Sequence, residues 1–383
     1  MTRVDLDHSQ TDRRSIVTET IDKFAAELRE INLSLHDHPE TAFQEFFAHD
    51  TIAKFFEGLG FDVHRSVYGL ATSFEVEFGT GGSVVVLCAE YDALPGIGHG
   101  CGHNLIATSS IAAFLAATEV LKRSRRPGRI RLLGTPAEEA GGGKARLLDA
   151  GAFPSNTAAA IMAHPMCARQ IFYDTTQGYH GLAALKFIAT HLFKTEFRGK
   201  SAHAGAEPWN GVNALDAAVS AYNNVSLLRQ HIHPDDRVHA VMEVGGTVPN
   251  VIPEYTRDEL DGAKPNDRKS ESAPRARKGM YPGGCFRNWM RPHLSRQEKA
   301  MNASTDMGNV AHRFPTFHGA FIVPAGAEVT LHSSDFAQAA GTEAAHTTAL
   351  QTAKGMAMLA VRVLLDADIA QNAMSDFQDR HDW

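Results

Sequence analysis

Four cysteines in 383 residues, Cys88, Cys101, Cys167 and Cys285, are too few and too widely spaced for a disulfide framework. An excess of positive charge is missing as well. The 37 Lys+Arg stand against 44 Asp+Glu for a formal net charge of −7, whereas a nucleic-acid binder normally carries a basic face. No apolar run reaches the ~20 residues of a membrane span; the longest, residues 111–121, is broken by Thr118 and Glu119. Residues 1–20 are polar and charged, without the apolar core of a secretory signal, so a cytoplasmic chain with no membrane partner is expected. The nucleophile elbow GxSxG and the Walker-type phosphate loop are absent. GIGHGCG resembles a dinucleotide fingerprint only loosely: the acidic residue required ~20 positions on is replaced by residues 120–123, Val-Leu-Lys-Arg.

What the chain does hold is histidine, 20 residues, about twice the number expected at ordinary usage of ~2%. Its 43% hydrophobic and 21% charged residues are those of a globular protein, and its length suggests two domains. Apolar residues at Ile21, Phe24, Ala25, Leu28, Ile31 and Leu35 predict a first helix closed by Pro39, and residues 46–59 a second that stops at Gly60. Strands are expected at residues 72–78, 83–89, 130–133 and 158–163, with helices at 104–122 and 144–148 between them. This alternation predicts an α/β fold, an open and mostly parallel sheet with helices on both faces, whose working residues collect beyond the carboxyl ends of the strands.

From about Gly178 the pattern changes to strand, helix (213–230) and strand (237–246), ending in the turn Pro249-Asn250-Val251-Ile252-Pro253. It reads as an inserted α+β domain. The expected organisation is a catalytic domain in two parts, 1–177 and 304–383, interrupted by a lid at 178–256. The intervening residues 257–303 are basic and rich in Pro and Ser, a composition that predicts disorder.

The chemistry-bearing residues sit in the predicted loops. In EYDALPGIGHGCGHN, residues 90–104, Cys101 and His103 can converge on one ion across Gly102. Asp92 can accept a hydrogen bond from a ligand His and fix its tautomer. Taken alone, the pair also fits a buried cysteine beside a satisfied histidine. In TPAEEAGGG, residues 135–143, Glu138 and Glu139 cannot point the same way, so one can bind a metal while the other takes a proton from water. The same pair also fits an acidic helix N-terminus. His164 ends a strand, His332 precedes the terminal helix and His203 lies in GKSAHAGAEP; each alone fits packing or surface exposure equally well. Jointly, Cys101, His103, Glu139, His164 and His332 make a donor set of the size two neighbouring metals need. A Cys101–His103 nucleophile pair is geometrically awkward.

The ordered motifs LHDHPE, EYDALPG, GHGCGHN, TPAEEAGGG, AHP, GKSAHAGAEP and NVIPE, followed by a late His before a helix, resemble the aminoacylase/carboxypeptidase-type metallopeptidases of peptidase family M20. Within them they are most similar to the amidohydrolase branch of p-aminobenzoyl-glutamate hydrolase, auxin-conjugate hydrolases and β-alanyl-lysine-type dipeptidases. The resemblance implies a zinc-exopeptidase-like catalytic domain with two divalent ions, Zn or Mn. It makes Cys101 their bridge, His103, Glu139, His164 and His332 the other ligands, and Glu138 the general base. It also implies a lid that dimerises the protein, in which His203 holds the substrate carboxylate or the oxyanion and Asn250 binds substrate. The expected reaction is hydrolysis of the amide bond of an N-acyl amino acid or dipeptide. One departure is local: residues 261–300 stand where the family continues its lid, so a truncated lid is expected. A relative that binds a ligand or protein partner without turnover is the alternative reading; a thiol enzyme using Cys101 is a third.

Overall fold

A computed structural model describes residues 3–168, 181–182, 187–233, 236–264 and 301–378. The helical stripe predicted from Ile21 to Leu35 forms, but as two helices, α1 (Arg3–Lys23) and α2 (Ala25–Asp37), broken at Phe24. α3 (Phe46–Gly58) follows, then β1 (Val63–Arg65), β2 (Phe74–Thr80) and β3 (Val84–Ala89). The long apolar helix is α4 (His103–Ser124), followed by β4 (Gly128–Gly134), α5 (Gly143–Asp149), β5 (Thr157–Met166) and the short β6 (Gly181–Leu182). After β7 (Phe187–Arg198), α6 (Ala214–Leu228), β8 (Arg237–Val244), β9 (Tyr255–Lys264) and β10 (Met301–Ser304), the chain continues through α7 (Met307–Ala311) and β11 (Thr316–Ile322). It ends in α8 (Ser334–Ala340), α9 (Glu343–Leu365) and α10 (Ala367–Gln378).

Seven strands form one sheet in the order β1-β2-β4-β3-β5-β11-β6. The central four, β4, β3, β5 and β11, run parallel, and the flanking pairs β1/β2, β2/β4 and β11/β6 are antiparallel. Every residue of β3 and β5 is buried, which is what continuous apolar runs mean in a sheet covered on both faces. α4 packs against α9, α1 and α2 and against strands β2 to β5. By length and composition α4 could cross a membrane, but 94% of its apolar window is buried inside the protein. That corrects the expectation that no apolar stretch is long enough, and the burial makes α4 a core helix of the sheet domain.

Strands β7 to β10 and helix α6 form a second compact unit, whose sheet has the order β10-β7-β9-β8. Two expected boundaries shift. Gly181 and Leu182 pair with Phe321 and Ala320 of β11, so they belong to the large sheet rather than the lid. At the other end β9 runs to Lys264, paired along its length with β7 and β8, and β10 pairs with β7. Residues 257–264 and 301–303, expected in the basic segment, are therefore strand residues. Their alternation is hard to read because the inward positions include the buried Thr256 and Asp258 rather than aliphatics. The rest of the segment expected to be disordered, 265–300, lies outside the described residues.

Candidate metal centre

The four parallel strands deliver their C-terminal ends to one place. β3 ends at Ala89 and hands on Glu90 and Asp92, both buried. β4 ends at Gly134, and the Thr135 N–H donates to Ala89 O at 2.8 Å, tying the Glu138-Glu139 turn to β3. That turn passes through Ala137 at φ +60°, a left-handed conformation sparsely populated by residues other than glycine. It closes against α5 so tightly that a Cβ on Gly143 would collide with Pro136 O. β5 carries His164. His103 opens α4 after Gly102 at φ +78°, where a Cβ would meet Pro165 at 2.7 Å. His332, at φ +62°, is fixed by its N–H donating to Gly100 O at 2.8 Å.

The side chains converge. His103 donates from Nδ1 to Asp92 Oδ1 at 3.0 Å. This turns the Nε2 lone pair toward Glu90 at 3.4 Å, Glu139 at 3.7 Å and Glu138 at 4.0 Å. His164 donates from Nδ1 to Pro165 O at 2.7 Å, which leaves Nε2 facing Cys101 Sγ at 3.5 Å. His332 Nε2 lies 3.6 Å from Glu139 Oε1. Asp92 also accepts the Glu139 N–H at 2.9 Å, so one carboxylate orients a histidine and a glutamate together. Donor atoms of Cys101, His103 and His164 lie within 4.8 Å of one another, as do those of Cys101, Glu139 and His332 and those of His103, Glu138 and Glu139.

The electrostatics ask for a cation. His103 Nε2 and Glu139 Oε1 are buried with no hydrogen-bond partner. Among the described residues, the four carboxylates Glu90, Asp92, Glu138 and Glu139 face one ammonium, Lys144, which is fully buried and ion-paired to Glu90. Burial is the largest influence on His103 and opposes its charge, but Asp92 and Cys101 together, through charge and hydrogen bonding, outweigh it and raise the imidazole pKa well above the ordinary value; a proton stands there for the positive charge the cluster lacks. Burial, helped by Glu139, pushes the Cys101 thiol well up, so a thiolate there needs a cation beside it. Burial pulls His164 down to about 4, which keeps its imidazole neutral and able to ligate. Mixed thiolate, imidazole and carboxylate donors suit zinc or manganese, so the residues present fit such a centre.

All of the expected ligands, Cys101, His103, Glu139, His164 and His332, together with Glu138 and Asp92, are brought together in the first unit. His203 and Asn250 belong to the second. There they lie on two paired segments: Ala204 N–H donates to Asn250 O at 3.0 Å, and His203 and Val251 form an antiparallel bridge. His203 Nδ1 accepts N–H bonds from Gly205 and Ala206 at 3.1 and 3.0 Å, which leaves the ring proton on Nε2 as a donor. Sequence reasoning missed Glu90 and Lys144. Each had a signal: a charged residue closing a wholly apolar strand, and a lysine directly after the glycines of TPAEEAGGG.

The sequence profile described as peptidase family M20/M25/M40 matches residues 86–355. The chain is 34% identical over 409 residues to a Xaa-Arg dipeptidase of Mus musculus, covering 94% of this chain and 91% of that one. It is also 34% identical to one of the p-aminobenzoyl-glutamate hydrolase chains of Escherichia coli, over 56% of this chain and 46% of that one. Among solved structures, an aminobenzoyl-glutamate utilization protein from Klebsiella pneumoniae aligns with a TM-score of 0.62 at 18% identity, over 91% of this chain and 99% of that one. A dinuclear metal binding peptidase from Bacillus subtilis aligns with a TM-score of 0.54 at 20% identity, over 90% and 99%.

Proposed function

The chain belongs to peptidase family M20/M25/M40, hydrolases of amide or peptide bonds, and from that premise we propose that it releases an amino acid from a dipeptide or N-acyl amino acid. Two divalent ions, zinc or manganese, would be held by Cys101, His103, Glu139, His164 and His332. The observation that carries this reading is the pair of donor groups that share Cys101, one with His103 and His164 and one with Glu139 and His332. When bound, such ions polarise the scissile carbonyl and make water nucleophilic near neutral pH.

The chain's own residues supply the rest. Glu138, whose carboxylate reaches 4.0 Å from His103 Nε2, takes the proton of the attacking water and returns it to the leaving amine. Asp92 holds His103 and the Glu139 backbone in register. His203, with its proton on Nε2, donates to the oxyanion or to the substrate carboxylate, and Asn250 on the neighbouring segment binds the substrate. The near full-length similarity to a Xaa-Arg dipeptidase makes dipeptides ending in arginine the first substrates to try. The protein is further proposed to dimerise through its second unit, where Val219, Tyr222, Leu227 and Leu228 of α6 and Val241 of β8 leave apolar surface exposed.

The test is mass-spectrometric detection of released amino acids across a panel of dipeptides and N-acyl amino acids with manganese or zinc present. Hydrolysis should appear with added metal and vanish in Glu138→Gln at unchanged metal content. A Glu138→Gln variant of full activity would falsify the mechanism. Metal-loaded wild type that hydrolyses nothing in the panel would favour the binding-only alternative.

A further inference from the structure

The segment HPETAFQE, residues 38–45, runs between α2 and α3 and contributes no metal donor, yet it touches both loops that do. From its backbone, Glu40 O accepts the Ala93 N–H at 2.7 Å, directly after Asp92. The Glu40 carboxylate caps α3, accepting from the N–H groups of Phe47 and Ala48 at 2.9 and 3.0 Å, so the segment is anchored where it meets the helix. Glu45 is fully buried. Its Oε1 accepts two backbone N–H bonds, from Phe43 and from Ala137, each at 2.9 Å, and its Oε2 accepts the Thr72 hydroxyl at 2.7 Å. Thr72 is held in turn through its carbonyl by the Tyr91 hydroxyl at 2.5 Å.

The two amides that Glu45 gathers belong to residues in left-handed conformation, Phe43 at φ +61° and Ala137 at φ +60°. Neither is a glycine, so each conformation persists only where its surroundings impose it. A buried carboxylate that satisfies both N–H groups is such an imposition, and a carboxylate is buried without a cation only where donors surround it. Ala137 is the residue before Glu138 and two before Glu139, so its φ sets the direction in which both side chains leave the turn. The far side of the same turn is packed by Phe43, whose ring a Cβ on Gly141 would strike.

We propose that Glu45 is a positioning residue of the active site: by holding Ala137 in its left-handed conformation it aims Glu138 and Glu139 at the metal centre. The proposal rests on the amidohydrolase reading above. It assigns a task to the HPETAFQE segment, residues 38–45, that neither metal binding nor proton transfer explains. Glu45 touches no reacting atom, so its removal acts through the turn: it misdirects the base and one ligand and leaves substrate binding by the rest of the site intact.

The experiment compares Glu45→Leu, which fills similar volume without an acceptor, with Glu45→Gln, whose amide oxygen can still accept both N–H bonds. Hydrogen exchange of the peptide spanning 135–143 is read by mass spectrometry without substrate, and kcat and KM are measured with manganese. Glu45→Leu should exchange that peptide at least ~10-fold faster while peptides elsewhere are unchanged. It should also lose on the order of 100-fold in kcat with KM within about threefold, the effect of a small misplacement of reacting groups. Glu45→Gln should restore both to within about threefold of wild type, since the brace to Ala137 survives. Unchanged exchange in Glu45→Leu, or faster exchange spread over the whole sheet domain, overturns the proposal. If Glu45→Leu does not fold, Glu45→Asp carries the test, because its carboxylate is one methylene too short to hold Thr72 and Ala137 together and the same local increase in exchange is expected. Wild type that hydrolyses no amide would refute the proposed function while leaving the exchange result to decide this inference by itself.

Discussion

Removing the Lys144 ammonium while Glu90 stays in place isolates a fully buried ion pair of the sheet domain. Both side chains are fully buried, so neither can regain water when its partner is lost. In Lys144→Met the Glu90 carboxylate is left beside Glu138 and 3.4 Å from His103 Nε2, without its ammonium partner. Breaking a buried pair from one side typically costs ~3–5 kcal/mol, most of it the uncompensated charge, whereas replacing both partners is often near neutral. The double variant Glu90→Gln/Lys144→Met should therefore recover at least ~2 kcal/mol of the loss. The assay is urea denaturation of wild type, both single variants and the double variant, followed by far-UV circular dichroism in excess chelator so that metal makes no contribution. Adding a saturating divalent ion afterwards should stabilise Lys144→Met more than the double variant, because the ion meets a more negative cluster. A Lys144→Met loss below ~1 kcal/mol, or strictly additive single variants, would show that the pair is not coupled in the way its burial implies.

Three further outcomes are expected. Asp92→Asn removes the acceptor that orients His103 and the Glu139 backbone, and manganese affinity by calorimetry should fall ~10–100-fold; an unchanged affinity refutes the orienting role. Burial raises Glu45 from 4.5 to about 7 even though Thr72 donates to it, so the native state holds this proton more tightly than the unfolded chain and stability declines as pH rises between those values. At 1.4 kcal/mol per pH unit the penalty above pH 7 is at most about 3.5 kcal/mol; Glu45→Gln should remove that decline, and identical pH slopes in wild type and variant would contradict it. Leu227→Glu together with Val241→Glu should convert a dimer into a monomer by sedimentation, and a wild type that sediments as a monomer at micromolar concentration refutes the dimer.

Much of the sheet domain was legible because its information is local. The apolar run of β3 and the Gly-rich loop before α4 announce a strand, a turn and a helix in succession, and that order alone places the cluster beyond the strand ends. β1, β11 and α10 were not foreseen, and β6 lies in residues expected as a strand of the lid. β1 is three residues long, too short for any period to register. β11 holds glycine and histidine among its apolars, and α10 lies beyond the long helix, ending at Leu365, that was expected to finish the regular pattern. The donor set could be named from residue type and motif order, since metals restrict donors to a few side chains. The Glu90–Lys144 pair and the Glu45 brace were not visible for a different reason. Both join residues dozens of positions apart, and charge at a buried position carries no signature until its partner is seen.

The donors of the centre are spread from residue 101 to residue 332, and His332 reaches the others from a strained backbone held by Gly100. A nascent chain therefore displays cysteine, two histidines and the glutamates long before it can complete the centre. Until the segment around residue 332 has emerged and docked, an ion can be held only by a partial and more exchangeable set. The intervening β7 to β10 and α6, which supply none of these donors, lengthen that interval. With the proposed ligand set, tight metal retention would be acquired late in synthesis and would report that the C-terminal part of the sheet domain has closed onto the first.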